Sequence, residues 1–369
     1  MIYPAVSYGR VELANFVKRG GILTQPAVAG IGTAVPGHPV RQSEIQDFAA
    51  NLFQDNLPNL ERLMPVFANT CIQSRYLAQP LEWYGRVHTF AEANALYEEK
   101  ALALAAEAAT TALKEANVDP GHIGIISFVS STGIATPTVD SKLIAALGLP
   151  PQTVRVPLWG LGCAGGVAGM ARTAELVKAT GKSALMIAVE LCSLTFQRND
   201  FSKANLVGAS IFGDGAAAVV ITPDGRGPAL LASHSTLFPQ TEDIMGWDVT
   251  ETGLKVRFSR DIPSLVRDYL PGLVEEACRL WGLARQDMKY FVAHPGGVKV
   301  LAAYAESLRL EQEQLLDAWR VLANYGNMSS ATVIFALAEF LRRQEQGGRY
   351  GIMAALGPGF CAEQVLFRW

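Results

Sequence analysis

Apolar runs and amphipathic stretches alternate along almost the whole chain. AVAGIGTAVPG (27–37) predicts a buried strand that ends in a Pro/Gly turn, and a polar-amphipathic helix follows from about Arg41. YEEKALALAAEAATTALKEANVD (97–119) is rich in Ala, Leu, Glu and Lys and predicts a strong helix, terminated near Asn117–Pro120. The pattern then reads strand IGIISFVSS, helix SKLIAALG, strand VRVPLW, helix AGMARTAELVKAT, and strands ALMIAVEL and GAAAVVIT. Past Pro223-Asp224-Gly225 it begins again. Strand ALLASHSTLF, helix SLVRDYLPGLVEEACRLWG, strand KYFVAHP, helix ATVIFALAEFLRRQ and strands YGIMAALGPG and EQVLFRW complete the chain. Several strands are apolar on both faces, which predicts sheets covered by helices, an α/β layered architecture. The break near 225 divides the chain into halves, 1–225 and 226–369, although no sequence repeat relates them.

Composition narrows the function. Of 369 residues, 50% are hydrophobic and only 18% charged, as expected of an enzyme with a large core. The 31 basic and 34 acidic side chains leave a formal charge of −3, with no basic block, so nucleic acid is not an expected partner. The five cysteines are widely spaced without a CxxC, which argues against a disulfide framework or zinc site and for a reducing cytoplasm. No signal segment is expected in the first residues, and no run approaches the roughly 18 apolar residues of a spanning helix.

Three separated stretches carry the candidate chemistry: WGLGCAGG around Cys163, AHPGG around His294 and NYGNMSSA around Asn327. A Cys at a sharp strand-to-helix turn projects its sulfur away from the sheet, and the helix N-terminus behind it favours thiolate. His294 sits at a strand end closed by Pro295, a place where functional residues collect in α/β sheets. Asn327 precedes an apolar helix, where it is read either as a capping residue or as a donor aimed at a carbonyl oxygen. Gly160-Leu-Gly162-Cys163-Ala-Gly165 also matches GxGxxG, with Glu190 placed 25 residues past Gly165, so a nicotinamide-dependent oxidoreductase is the alternative. Against it stand the Pro and Trp of VRVPLW and a Cys in the turn that a pyrophosphate would press upon. FGDGAAA lacks the Lys of a P-loop, so its glycines read as a tight turn, with Asp214 bonding backbone.

GLGCAGGVAGMARTAEL, VGASIFGDGAAAVVI, VAHPGG, YGNMSSATVIF, LGPGF and LFRW together resemble the type III polyketide synthases, the chalcone synthase-like enzymes, over nearly the whole chain. The resemblance implies a thiolase-like fold, two βαβαβ-type halves stacked as five layers, in a homodimer. It implies that Cys163, in the first half, carries the acyl chain as a thioester. His294 and Asn327, in the second, would hold the malonyl thioester oxygen as carbon dioxide leaves, His294 also keeping the thiolate through an ion pair. Phe212 would gate the cavity, and Thr195, Gly253, Ser329 and Pro358 would line it. Substrates would be malonyl-CoA and an acyl-CoA or acyl carrier protein thioester, with no metal or organic cofactor.

Two departures refine the expectation. At the basic trio of plant members only Arg62 remains, beside Pro65 and Asn69, so part of the CoA binding would come from elsewhere or the starter would arrive on a carrier protein. Thr136, in STGIATPTVD, stands where plant members place a methionine, and that stretch resembles bacterial synthases of alkylresorcinols and alkylpyrones. A long-chain fatty acyl starter is therefore expected. Trp281 is read either as bulk that bends the chain or as a core residue packing a helix end, and aldol closure to a resorcinol is expected over a pyrone. A non-catalytic acyl-binding protein of the same fold is a further alternative, against which the intact Cys, His and Asn set speaks.

Overall fold

The computed structural model describes residues 25–343 and 347–369. Expectations for residues 1–24, and for Gln344 at the end of the last predicted helix, lie outside these. The first half supplies β1 (Ala27–Ala34), a small ribbon of β2 (His38–Arg41) and β3 (Ser74–Leu77), then β4 (Ile123–Val129), β5 (Val154–Leu158), β6 (Ser183–Leu191) and β7 (Asp214–Thr222). The second supplies β8 (Ala229–Leu237), the hairpin β9 (Met245–Thr250) and β10 (Gly253–Phe258), β11 (Met288–Ala293), β12 (Tyr350–Gly357) and β13 (Cys361–Arg368). The helices of eight residues or more are α1 (Gln42–Phe53), α2 (Phe90–Ala116), α3 (Asp140–Leu147), α4 (Gly165–Thr180), α5 (Lys203–Ile211), α6 (Ile262–Leu280), α7 (Val298–Leu308), α8 (Leu316–Tyr325) and α9 (Thr332–Arg343).

The large strands follow one another in the order β11-β12-β13-β8-β1-β7-β6-β4-β5. The two half-sheets touch only at Ala27–Ala229. Each half has its first strand antiparallel to its last, the last antiparallel to its predecessor, and that one parallel to the next (β1-β7-β6-β4 and β8-β13-β12-β11). The repeat that the sequence conceals is thus plain in the topology. Three apolar clusters fill the spaces between layers. One packs α2 on the outer face of the first half-sheet, one fills the middle with α4 and α9, and one packs α6 and α7 on the outer face of the second. Helix, sheet, helix, sheet, helix: these are the five layers of a thiolase fold.

Local chemistry explains these elements. In α2, Ala101, Ala105, Ala108, Ala109 and Ala112 are fully buried, a smooth stripe that lets the helix lie against β1. Gly32 completes the contact, because a Cβ there would fall 2.0 Å from the Ala108 carbonyl oxygen. The helix begins at Phe90, ahead of the predicted Tyr97, because Thr89 and Glu92 form a capping box. α5, α7, α8 and the β9–β10 hairpin are additions to the predicted elements. β5, which carries the unfavourable Pro157, is an edge strand, so the missing N–H costs no ladder bond.

Gly32→Ala is expected to destabilise the protein by about 2–3 kcal/mol, since the methyl group meets backbone that cannot rotate away. Urea denaturation checks this, and wild-type stability would contradict the close approach.

Candidate active site

The three predicted residues converge where the halves meet. Cys163 lies in the 3-10 turn Gly162–Ala164 between β5 and α4. Gly162 has φ +46°, and a Cβ on it would fall 2.7 Å from Pro358 Cδ, so this position tolerates only glycine. On the next turn a Cβ on Gly166 would fall 2.2 Å from the Ser330 carbonyl oxygen. The Cys163 turn therefore docks backbone-to-backbone on the Asn327 loop. His294 follows β11 and is 3% exposed, as is Asn327.

The orientation of Asn327 is set by its own bonds. Its Oδ1 accepts from Ser329 N (2.8 Å), its Nδ2 donates to Gly296 O (3.2 Å), and the carboxamide lies 4.0 Å from Cys163 Sγ. Its backbone pairs with the Phe212 turn as an isolated parallel bridge: Asn327 N donates to Ile211 O (2.8 Å) and Gly213 N to Asn327 O (3.0 Å). Both ring nitrogens of His294 are buried without a protein partner. The Asn327 carboxamide is thus held beside the Cys163 sulfur, and His294 lies two residues before Gly296, whose carbonyl accepts from Asn327.

Burial works against the effect expected of the α4 N-terminus on the thiol. Burial, with Glu190 adding to it, pushes the Cys163 thiol up to about 11 despite hydrogen bonds from Ser329 and Asn327. Burial also holds the His294 imidazole down to about 3. Desolvation outweighs the partial charges of one helix end. The dinucleotide reading fails on geometry. Glu190 is fully buried, and its carboxylate accepts from Ser131 N (2.9 Å), Thr132 Oγ1 (2.9 Å) and the Ser330 hydroxyl, so none of it is presented to a ribose.

Of the cavity residues, Phe212 packs against Trp247 and Phe258 with ring centroids 5.8 and 5.6 Å away. Thr195 and Gly253 share a recess of about 10 Å³ with Phe90, Asn94 and Thr132. A Cβ on Gly253 would meet Gln197 Nε2 (3.1 Å) and Phe90 Cδ2 (3.4 Å), and one on Gly246 would lie 4.0 Å from Pro358 Cβ. Ser329 is buried beside Asn327 and donates its N–H to that residue's Oδ1 (2.8 Å). Arg62, Pro65 and Asn69 are exposed, and so is Thr136. Trp281 caps α6 and packs, partly buried, on the outer cluster of the second half, the helix-end packing that was its alternative reading. Asp214 bonds backbone as expected, accepting from Ala78 N (2.6 Å) and Ser193 N (2.8 Å). Among the described residues no group of His, Cys, Asp or Glu is placed to hold a metal ion, and no helix is long and apolar enough to cross a membrane.

A thiol, an imidazole and an oriented carboxamide at a two-half seam define an enzyme that handles thioesters by acyl transfer. The models of the N- and C-terminal domains of chalcone and stilbene synthases match residues 17–225 and 229–369. A putative chalcone synthase of Bacillus subtilis is 40% identical over 358 residues, covering 93% of this chain and 98% of the relative. A 1,3,6,8-tetrahydroxynaphthalene synthase of Streptomyces peucetius is 38% identical over 351 residues, covering 93% of each. The crystal structure of 1,3,6,8-tetrahydroxynaphthalene synthase from Streptomyces coelicolor superposes with a TM-score of 0.89 at 29% identity, over 93% of this chain and 99% of that one. The chain belongs to the chalcone and stilbene synthase family, the type III polyketide synthases, and is an acyltransferase.

Glu190 sets a pH test. Burial raises its carboxyl to about 7, above the unfolded value of about 4.3. The native state then keeps a proton that the unfolded chain has lost, so this group's contribution is full below pH ~4 and lost as pH rises through about 7. The stability difference between wild type and Glu190→Gln should shrink between pH 4.5 and 8 in urea titrations. A constant difference would contradict the raised carboxyl.

Proposed function

We propose that this synthase loads an acyl starter on Cys163 and extends it by decarboxylative condensation with malonyl-CoA. The acyl carbonyl carbon bonds to Sγ and the carrier thiol leaves with the proton. The malonyl C–C bond to its carboxylate then breaks, carbon dioxide departs, and the electron pair passes into the thioester as an enolate. His294 and Asn327 Nδ2 hydrogen-bond that oxygen as its charge grows, the contribution of an oxyanion hole. The enolate carbon attacks the acyl thioester and expels Cys163 as thiolate. The observation that carries this reading is the Asn327 carboxamide, held by Ser329 N and Gly296 O within 4.0 Å of the Cys163 sulfur.

The resting thiol requires an ion pair within this reading. Burial disfavours each charge alone, but a proton moved from Sγ to the imidazole gives two opposite charges in one dry cavity, each compensating the other. Iodoacetamide should then alkylate Cys163 near pH 6, and His294→Gln should move the onset to alkaline pH. Wild-type alkylation that climbs only above about pH 9 would sink the ion pair.

A fatty acyl starter is part of the proposal. Ile45, Phe48, Ala49, Phe53 and Leu81 line an apolar cavity of about 60 Å³ that reaches Cys192, Thr195 and Phe212 and gives a tail somewhere to go. Aldol closure to a resorcinol rather than a pyrone is part of the proposal and is read from the products. The small recess at Thr195 and the tetrahydroxynaphthalene synthase relatives favour a second reading, in which the starter is short. A homodimer is also proposed: β5 is an unpaired edge, and Ile134, Val154 and Trp159, 42, 46 and 53% exposed, are apolar surface on that side near Thr136. Delivery by CoA at Arg62, or by an acyl carrier protein, completes the reading.

Incubation with malonyl-CoA and acyl-CoAs from acetyl to about C22, with mass spectrometry of the products, tests it. Long-chain resorcinols or pyrones, absent with Cys163→Ala, are expected. Products from malonyl-CoA alone would favour the short starter, and no product from any thioester would refute condensation. Asn327→Ala should lower malonyl-CoA decarboxylation by about 10²–10³-fold.

A further inference from the structure

The bulkiest fully buried side chain among the described residues is charged. Arg75, on β3, is 1% exposed. Its Nη1 donates to Ala209 O (2.8 Å) and Phe212 O (2.6 Å), and its Nη2 to Gln42 Oε1 (2.7 Å). Gln42 Nε2 in turn donates to Ser210 O (2.9 Å), Thr70 Oγ1 (3.0 Å) and Phe67 O (3.2 Å). The stem lies under the catalytic loop: a Cβ on Gly326, beside Asn327, would fall 2.7 Å from Arg75 Cδ.

These bonds close the C-terminus of α5. The last four carbonyls of a helix lack intrahelical donors. Here Gly208 O accepts from Phe212 N, Ala209 O from Arg75, Ser210 O from Gln42 and Ile211 O from Asn327 N. A cation at this end also complements the helix dipole. The nearest compensating charge is Asp214, two residues past Phe212. An apolar residue could fill the space at far lower desolvation cost. Packing alone therefore does not account for a guanidinium here, whereas a cluster of carbonyls needing directed donors does.

We propose that Arg75 is a positioning residue for the condensation reaction. By holding the Ala209 and Phe212 carbonyls it fixes the α5–β7 turn. That turn pairs with the Asn327 backbone, so the guanidinium sets both the gating ring and the carboxamide facing Cys163. Through Gln42 the same arrangement is tied to Phe67 and Thr70, beside the exposed Arg62–Asn69 segment. The inference rests on Asn327 as donor to the malonyl thioester.

The test compares two reactions of the same thiol site in full-length Arg75→Met and Arg75→Lys. Malonyl-CoA decarboxylation should fall about ten- to hundredfold in Arg75→Met, the cost of a misplaced donor. Alkylation of Cys163 by iodoacetamide should stay within about twofold, and Arg75→Lys, with one ammonium for two carbonyls, should recover part of the loss. Decarboxylation at the wild-type rate, or loss of both reactions in step with a fall in Tm, would overturn the proposal. If Arg75→Met does not fold, Arg75→Lys and Gln42→Leu replace it: slowed decarboxylation with unchanged alkylation supports the proposal, and any other pattern overturns it. Asn327→Ala runs alongside: wild-type decarboxylation in that variant would locate the failure in the assignment of Asn327 itself and end the Arg75 proposal with it.

Discussion

Everything in this protein depends on a seam at which two backbones touch. Gly162 and Gly166 let the Cys163 turn come against Pro358 and the Ser330 carbonyl with no side chain between. A single methyl group at either position would part the halves, and with them the thiol and the carboxamide. The five-layer stack presses this contact from both sides: α4 and α9 are buried between the half-sheets, and their sheets are buried in turn under α2 and α6–α7. The cost of ordering a loop-borne site is thus carried by the bulk of the core, far from the chemistry.

Three buried ionisable groups tie together the elements around the seam. Glu190 joins the first half to Ser330 in the second, Asp214 ties β7 to Ala78 and Ser193, and Arg75 closes α5. Each would destabilise a dry interior if left unpaired, so each enforces one arrangement of its neighbours. Cys163 and His294 are the exceptions. Burial holds the thiol up and the imidazole down, and His294 has no protein partner for either nitrogen. Stability is given up at these two groups, and the surrounding network supplies the rigidity they lack.

The layered α/β class, the strand-end position of His294 and the turn holding Cys163 were legible because each is local. Hydrophobic period, a capping glycine and a proline that ends a strand act over a few residues. α5, α7 and α8 were missed because their apolar positions answer to neighbours distant in the chain. Arg75 gave only the signal of one cation in an otherwise ordinary short strand.

By itself, then, the sequence determined which segments are strands and helices, where the chain divides, and the residue types able to handle a thioester. Those follow from short-range sterics and burial. Only the tertiary structure decided that Asn327 comes within 4.0 Å of the Cys163 sulfur, that His294 is buried at its strand end, that Glu190 faces inward, and that burial works against the thiol's ionisation. Convergence of loops separated by well over a hundred residues, and the desolvation that accompanies it, are properties of packing and have no local trace.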